Sequence, residues 1–181
     1  MQSQQLIAFL IQQTESILEQ IKALKNYNDA KLNWRPNKDA WSVLECIEHL
    51  NRYGDFYLPA ISTAMNNSEL SPSPKYKAGW LGNYFANSML PKERLNKMKT
   101  FKDKNPIYTQ LDETVIDTSI KQQEQLLALL QLAEQKNLNK IRIPTSISPL
   151  LKLKLGDTFR FFINHIIRHM QQIERILQAQ S

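Results

Sequence analysis

Apolar residues in this sequence recur at alternating spacings of three and four along four long stretches. The first covers about residues 3–25, the second begins after Ser42, the third covers about residues 112–136 and the fourth about residues 158–179. This spacing places apolar side chains on one face of an α-helix. The chain has only 4 glycines in 181 residues, which also favours helices. We therefore predict an all-α fold, with residues 1–181 forming a single domain built as a four-helix bundle.

Local signals refine the ends of the predicted helices. Ser42 and Glu45 form a Ser-x-x-Glu capping box, which predicts the start of the second helix. Pro59 lies inside the same helix and predicts a kink or an early end, because proline cannot donate a backbone hydrogen bond. Gly54 permits a close approach of another helix. Asp157 is the predicted N-cap of the last helix.

The connection between the second and third helices, about residues 66–110, is the least regular part of the sequence. A connection this long is uncommon unless it crosses a bundle or covers a site, so we predict both a crossover and a partial lid. Its aromatic part, residues 76–89, predicts a short helix over the core. Its basic part, residues 92–104, is interrupted by acids and is interpreted as solvated surface. Residues 141–144 are predicted to be extended but too short to form a sheet.

Composition and charge exclude several classes of protein. A formal charge of +6 permits attraction to nucleic acid, but the positive charge does not lie on a recognisable recognition helix, so no nucleic-acid partner is expected. No signal peptide and no apolar run long enough for a membrane span occur, so no membrane partner is expected. Cys46 is the single cysteine, which excludes an internal disulfide and a cysteine-rich zinc site and fits the reducing cytoplasm where we expect the protein.

The chain contains only 3 histidines, and all of them fall on predicted helices. His165 and His169 are four apart on the last helix, so their Cβ atoms lie on one face, about 5–6 Å apart. His49 lies near the buried face of the second helix. If the two helices pack together, three imidazoles can bind one divalent metal ion and leave a coordination position open. Histidine pairs at this spacing are also common as ordinary structural residues, and that alternative stays open.

Neighbours of His49 on the second helix have two readings each. Cys46 is interpreted as a small buried hydrophobe. The alternative is that it acts as a fourth metal ligand or as a redox group. Glu45 either orients the His49 ring or serves only as the helix cap, which already accounts for it. Tyr53 either points its hydroxyl at the site or packs in the core.

Other residues have weaker signals. Gln172 either hydrogen-bonds a bound water or substrate or is a polar rim residue, and Arg168 is predicted to point away into a surface ion pair. Trp34 and Trp41 are predicted to pack on the end of the core, with a pocket wall as the alternative. The region of Trp80 is predicted to shape the mouth of a site. No carboxylate stands out as a general base, so no catalytic residue is assigned.

The residues around the histidines resemble a known family. Residues 41–50 (WSVLECIEHL), preceded by residues 34–36 (WRP), resemble the first signature of the DinB-like superfamily. Residues 155–159 (LGDTF) running into residues 165–172 (HIIRHMQQ) resemble its second, and residues 139–144 (NKIRIP) fit as the lead-in. Residues 74–104 match neither signature.

The resemblance implies an up-down-down-up four-helix bundle with a long crossover between helices 2 and 3, often as a homodimer. It also implies a divalent metal ion, zinc or nickel first and iron or manganese next, held at the positions of His49, His165 and His169. Some members resemble thiol S-transferases that join low-molecular-weight thiols to electrophiles, and others resemble hydrolases or isomerases.

We therefore predict an enzyme in which the ion activates water or a thiol to attack an electrophilic small molecule. The alternative is a non-catalytic metal-binding or structural bundle.

Overall fold

The structure is a computed structural model that describes residues 1–90 and 100–180. The described residues form six α-helices, which are α1 (Ser3–Ala23), α2 (Asp29–Asn33), α3 (Val43–Asn66), α4 (Trp80–Ser88), α5 (Thr114–Ala133) and α6 (Leu155–Gln178). Four of them are long and coincide with the four predicted stretches. The chain is thus mostly helical over its described residues, as predicted. No helix within these residues is long and apolar enough to cross a membrane.

The four long helices surround a shared core. Helix α1 packs against α5 and α6, and α3 packs against the same two helices. The aromatic rings of Tyr57, Phe159 and Phe162 are fully buried between them. A Cβ built on Gly54 would lie 1.9 Å from Oε1 of Gln122, so the predicted close approach of another helix at this glycine is confirmed. The up-down-down-up order and the single-domain assignment stay predictions.

Strands β1 (Arg142–Pro144) and β2 (Lys152–Lys154) pair as an antiparallel ladder in which Ile143 faces Leu153. The prediction that this stretch is too short to form a sheet is therefore wrong. The middle residue of each strand is buried and its neighbours are more exposed, so the period of two gives the pair one face on the core. These short strands pair because their buried residues pack on the core. Strand length alone does not show this stabilisation.

The capping box at the start of α3 is confirmed. The backbone N–H of Glu45 donates to Ser42 Oγ over 3.2 Å, and the N–H of Ser42 donates to Glu45 Oε2 over 2.8 Å. The early end predicted at Pro59 is wrong, because α3 continues to Asn66. Burial of Ile61 and Met65 beyond the proline offsets its missing hydrogen bond.

Asp157 is not the N-cap of α6, contrary to the prediction. The helix begins at Leu155, and the backbone N–H groups of Leu155 and Gly156 donate to the carbonyls of Ile141 and Leu138. These tertiary partners satisfy the first amide donors, so no side-chain cap is needed. The Asp157 carboxylate instead accepts hydrogen bonds from the Tyr76 hydroxyl and from the backbone N–H of Gly79.

The connection between α3 and α5 contains helix α4, which confirms the short helix predicted there. Helix α4 packs against α6. Most of the basic segment at residues 92–104 lies outside the described residues, so its interpretation as solvated surface stays a prediction there.

Candidate metal centre

The structure brings the three histidines together, as the sequence predicted. Nε2 of His165 lies 3.2 Å from Nε2 of His49 and 3.1 Å from Nε2 of His169. All three side chains are buried, and their potential ligand atoms lie within 4.8 Å of one another. The cluster forms because α3 packs against α6 and because a spacing of four keeps His165 and His169 on one face of α6.

Two of the rings are fixed by hydrogen bonds on the far side of the cluster. Nδ1 of His49 lies 2.7 Å from the carbonyl oxygen of Lys104. Nδ1 of His169 lies 3.0 Å from Oε1 of Gln172. Since both partners are acceptors, each Nδ1 carries the proton and each Nε2 presents a lone pair. Nδ1 of His165 is buried, and no described residue hydrogen-bonds it.

The three Nε2 atoms form an arrangement that a cation would stabilise. A proton on Nε2 of His165 can be donated to one of the other two nitrogens but not to both. At least one of the two short contacts, 3.2 Å or 3.1 Å, is therefore left without a hydrogen bond. A metal ion accepts all three lone pairs at once, and this donor set suits several divalent transition metals. The three residues thus fit a metal ion whose identity the imidazoles leave open.

Burial also keeps the rings in the neutral form that binds metals. It lowers the pKa of His49 to about 4 and the pKa of His169 to about 3. Burial, followed by the neighbouring imidazoles, holds the pKa of His165 well below its usual value. The positive charges of Arg52 and Lys104 add to the lowering at His49, although its hydrogen bond to Lys104 opposes it. No proton has to be displaced from Nε2 of His49 or His169 at neutral pH for these rings to bind a cation.

Aromatic rings enclose the cluster. The Trp41 ring stacks on His169 with centroids 5.8 Å apart and lies 4.7 Å from the His49 ring. The Tyr53 ring lies 4.6 Å from the His165 ring, and burial raises the pKa of Tyr53 to about 12. Trp41 therefore lines the site, which was the alternative reading of this residue, whereas Trp34 is 37% exposed. Tyr53 packs its ring directly against the histidines.

A cavity of about 870 Å³ adjoins the three histidines. The residues that line it, histidines included, are Asp39, Ala40, Trp41, His49, Tyr53, Tyr84, Phe85, Ser88, Met89, Thr100, Phe101, Asn105, Ile107, Ser146, Ile147, Phe161, His165, Arg168, His169 and Gln172. Its volume lies within the range of small-molecule sites. The rim residues Tyr84, Phe101 and Ile147 are exposed, so the cavity opens to solvent.

The connection between α3 and α5 covers one side of the cavity, as predicted for a partial lid. Residues 100–108 are held down by the Arg52 guanidinium, which donates to the carbonyls of Asp103 and Asn105. Trp41 Nε1 donates to Asn105 Oδ1 over 3.1 Å. The mouth is shaped by Tyr84 and Phe85 of α4, whereas Trp80 is 86% exposed and is not among the lining residues.

The surface position predicted for Arg168 is wrong. Its side chain is only 7% exposed and lines the cavity. Helix α6 is covered by α1, α3 and α4, so the face opposite the core stripe is not a solvent face. Burial lowers the pKa of Arg168, and the nearby positive charge of Arg175 adds to the effect.

Cys46 and Glu45 have the structural roles that the sequence favoured. Cys46 is completely buried outside the histidine cluster, and burial raises the pKa of its thiol. The Glu45 carboxylate accepts hydrogen bonds from the Arg35 guanidinium and from the backbone N–H groups of Ser42 and Tyr108. It therefore joins the start of α3 to the covering connection instead of orienting the His49 ring.

Sequence reasoning missed the Lys104 carbonyl and the buried position of Arg168. Every residue has a backbone carbonyl, so the sequence cannot mark the one at Lys104 as a partner of His49. The one indication was the prediction that the connection between α3 and α5 covers the site. The spacing of three between His169 and Gln172 indicated proximity, but it did not identify the ring nitrogen as the partner.

A family model described as the DinB superfamily matches residues 10–173 of the chain. The matched span includes both predicted signatures and all three histidines, which agrees with the resemblance inferred from the sequence. No curated protein and no solved structure matches the chain.

Proposed function

The chain belongs to the DinB superfamily, and on that premise we propose that it is a divalent-metal-dependent enzyme acting on an electrophilic small molecule. The observation that carries the proposal is the convergence of three neutral imidazoles, with Nε2–Nε2 distances of 3.1 and 3.2 Å, beside a cavity of about 870 Å³. His49, His165 and His169 would hold the ion, with zinc or nickel expected first.

The residues around the cluster support this chemistry. A bound divalent ion would act as a Lewis acid that makes water or a thiol nucleophilic near neutral pH. The Lys104 carbonyl and Gln172 Oε1 fix the tautomers that aim two lone pairs inward. The Tyr53 hydroxyl stays protonated at neutral pH, since its pKa is about 12, and can donate a hydrogen bond. We propose thiol S-transfer or hydrolysis as the reaction, with a low-molecular-weight thiol as the first candidate partner.

A second candidate is a metal-binding bundle without turnover. It is favoured by the distribution of carboxylates. Asp39 supplies the one carboxylate among the described lining residues, and it is exposed on the rim. A reaction that needs a buried general base therefore has no carboxylate at hand in this part of the chain.

Metal content tests the proposal first. Untagged protein is purified without chelator or nickel resin and compared with His165→Ala by elemental mass spectrometry. We expect about one ion per chain in the wild type and none in the variant, with helical circular dichroism retained. Gln171→Ala, a neighbouring substitution on α6 that is not among the cavity lining, should keep the ion. Full metal occupancy in His165→Ala would contradict the triad.

Turnover separates the two candidates. Zinc- and nickel-loaded protein is assayed with a thiol and an electrophilic aryl halide, and separately with an activated ester. Activity that is lost in His165→Ala supports the enzyme. Stoichiometric metal without turnover on either substrate favours the non-catalytic bundle.

The same proposal includes the up-down-down-up arrangement, a homodimer, a cytoplasmic location and no nucleic-acid partner. Sedimentation at micromolar concentration tests the dimer. Nucleic-acid affinity that falls steeply with salt would contradict the last point.

A further inference from the structure

A short helical turn in the connection between α3 and α5 ends against helix α3. Nδ1 of His49 lies 2.7 Å from the carbonyl oxygen of Lys104. Nη1 of Arg52 donates to the carbonyls on either side, over 3.3 Å to Asp103 and over 3.2 Å to Asn105. Carbonyls at the end of a helical turn have no partner inside the turn. Two side chains of α3 therefore satisfy three consecutive carbonyls of this connection.

Arg52 and Lys104 hold each other in place. Arg52 lies three residues after His49, so the two side chains share one face of α3. Nζ of Lys104 donates in turn to the backbone carbonyl of Arg52 over 3.0 Å. Oε1 of Glu48 accepts a hydrogen bond from Nε of Arg52 over 2.7 Å and orients the guanidinium. The Lys104 carbonyl is thus held beside His49 by contacts outside the histidine cluster.

The position of this carbonyl decides which tautomer His49 adopts. With the Lys104 carbonyl in place, the proton stays on Nδ1 and Nε2 keeps its lone pair. Without an acceptor at Nδ1, the proton can move to Nε2 and be donated to Nε2 of His165 across 3.2 Å. A protonated Nε2 has no lone pair for a metal ion. Holding the carbonyl in place therefore keeps His49 ready to act as a ligand.

We infer that Arg52 is a positioning residue of the metal centre, because it holds the Lys104 carbonyl against Nδ1 of His49 and so keeps Nε2 free for the ion. This role rests on the proposed function, since it concerns a ligand of the same site. Arg52 is not among the described residues that line the cavity, so it acts through the carbonyl and not through contact with a substrate.

The positive charge of Arg52 has the opposite effect on metal binding, which makes the two effects separable. A guanidinium one turn from His49 repels a cation bound to the histidines. Removal of the charge alone should therefore tighten metal binding. Loss of the support for the carbonyl should weaken it, because a smaller fraction of molecules then has the tautomer that binds the ion.

Zinc affinity, measured by competition with a chelating dye, distinguishes the two effects. Arg52→Met removes every donor of the side chain, and we expect it to weaken zinc binding about tenfold. Arg52→Lys keeps the charge but loses the planar fork, so its loss of affinity should be smaller but still measurable. Arg142→Met is the control, because Arg142 is exposed and outside the cavity lining, and it should bind zinc within about twofold of the wild type. Unchanged or tighter binding in Arg52→Met would overturn the inference.

Nitrogen NMR of the imidazoles in chelator gives a second readout that needs no metal ion. The chemical shifts of the ring nitrogens report which nitrogen of His49 carries the proton. The wild type and Arg142→Met should carry it on Nδ1, whereas Arg52→Met should carry a measurable share on Nε2. Circular dichroism checks that each variant is folded. If Arg52→Met does not fold, Arg52→Lys decides, and a wild-type tautomer with wild-type affinity in it overturns the inference.

The two readouts also separate this role from the proposed function. A wild type that binds no zinc, but whose His49 tautomer changes in Arg52→Met, would contradict the metal-dependent function and support the positioning of the ring by Arg52. Stoichiometric zinc in the wild type, with a tautomer and an affinity that are unchanged in Arg52→Met, would overturn the inference alone.

Discussion

Nε2 of His49 and Nε2 of His165 lie 3.2 Å apart, although 116 positions of sequence separate the two residues. Because both rings are buried and neutral, this contact brings two lone-pair-bearing atoms together at the cavity wall unless a proton or a cation lies between them. The packing of α3 on α6 therefore holds the donor atoms in place before any ion arrives. Such preorganisation favours metal binding over a purely structural role.

Gln172→Ala should weaken metal binding about tenfold or more, because Gln172 Oε1 accepts the Nδ1 proton of His169 over 3.0 Å. Losing this acceptor frees the ring to rotate and to change tautomer. Competition with a chelating dye measures the affinity. Gln171→Ala is the matched control, and equal affinities in the two variants would show that the hydrogen bond does not orient the ligand.

Cys46→Ala should keep the metal ion, because Cys46 is buried outside the histidine cluster. Burial raises the pKa of the thiol, so it should react with a disulfide reagent only when the protein is unfolded. We expect a loss of about 1 kcal/mol in the free energy of unfolding from the missing packing. Metal content and thiol titration, with and without denaturant, check both points. Loss of the ion would make Cys46 a ligand after all.

Gly156→Ala should destabilise the protein by about 1–3 kcal/mol. A Cβ at this position would lie 2.5 Å from Cε2 of Tyr76, whose hydroxyl is bound to Asp157 and whose ring is buried. The ring cannot move aside without breaking that contact. Urea unfolding measures the difference.

Gly54→Ala is the matched comparison and should change stability by less than about 1 kcal/mol. The new methyl would meet only the end of the Gln122 side chain, which can rotate away. The cost is its hydrogen bonds to the Asn51 carbonyl and to Asp55, and the better helix propensity of alanine offsets that cost. A larger loss at Gly54 than at Gly156 would contradict this account of the two contacts.

Glu45→Gln should reduce the sensitivity of stability to acid. Burial alone would raise the pKa of Glu45, but the hydrogen bond from Arg35, those from the Ser42 and Tyr108 amides and the charge of Arg35 together lower it below 4.5. Its stabilisation is therefore complete above the pKa of the unfolded state and is lost as pH falls through the lower folded pKa.

The wild type should consequently lose more unfolding free energy than Glu45→Gln between about pH 6 and pH 3. At about pH 7 the variant should be less stable by about 1–3 kcal/mol, because an ion pair with Arg35 is lost. The exposed Glu15→Gln is the control and should follow the wild-type curve. Parallel curves for wild type and Glu45→Gln would exclude a linkage at this carboxylate. Protonation of the histidines is common to all three proteins and cancels in the comparison.

The features that the sequence predicted correctly are those set by local rules. The capping box at Ser42 and Glu45 needs only residues three apart, and the shared face of His165 and His169 needs only the period of a helix. His49 joined them by inference from its position near a buried face. This prediction succeeded because both faces belong to helices that pack against each other.

The features that the sequence missed depend on tertiary neighbours. Lys104 contributes a backbone carbonyl from an irregular segment 55 positions away from His49. Asp157 looked like a cap, but the carbonyls of Leu138 and Ile141 had already satisfied the amides at the start of α6. Arg168 was assigned to solvent because the coverage of α6 by three other helices cannot be deduced from its own pattern.

Replacing His165 with leucine should have opposite effects with and without metal. In chelator, the variant should be more stable than the wild type by about 1–3 kcal/mol, because leucine removes a buried Nδ1 that no described residue hydrogen-bonds. It also removes a short nitrogen–nitrogen contact, at 3.1 or 3.2 Å, that has no hydrogen bond. With zinc at about 1,000 times its dissociation constant, the wild type should gain about 4.1 kcal/mol, whereas the variant should gain little.

Urea unfolding of both proteins in chelator and in zinc therefore gives two curves whose order reverses. Gln171→Ala should respond to zinc as the wild type does. His165 would be a packing residue if the variant had the lower free energy of unfolding in both conditions and zinc did not stabilise the wild type. This reversal tests the site directly. A histidine with a purely structural role should not make the metal-free protein less stable than leucine does.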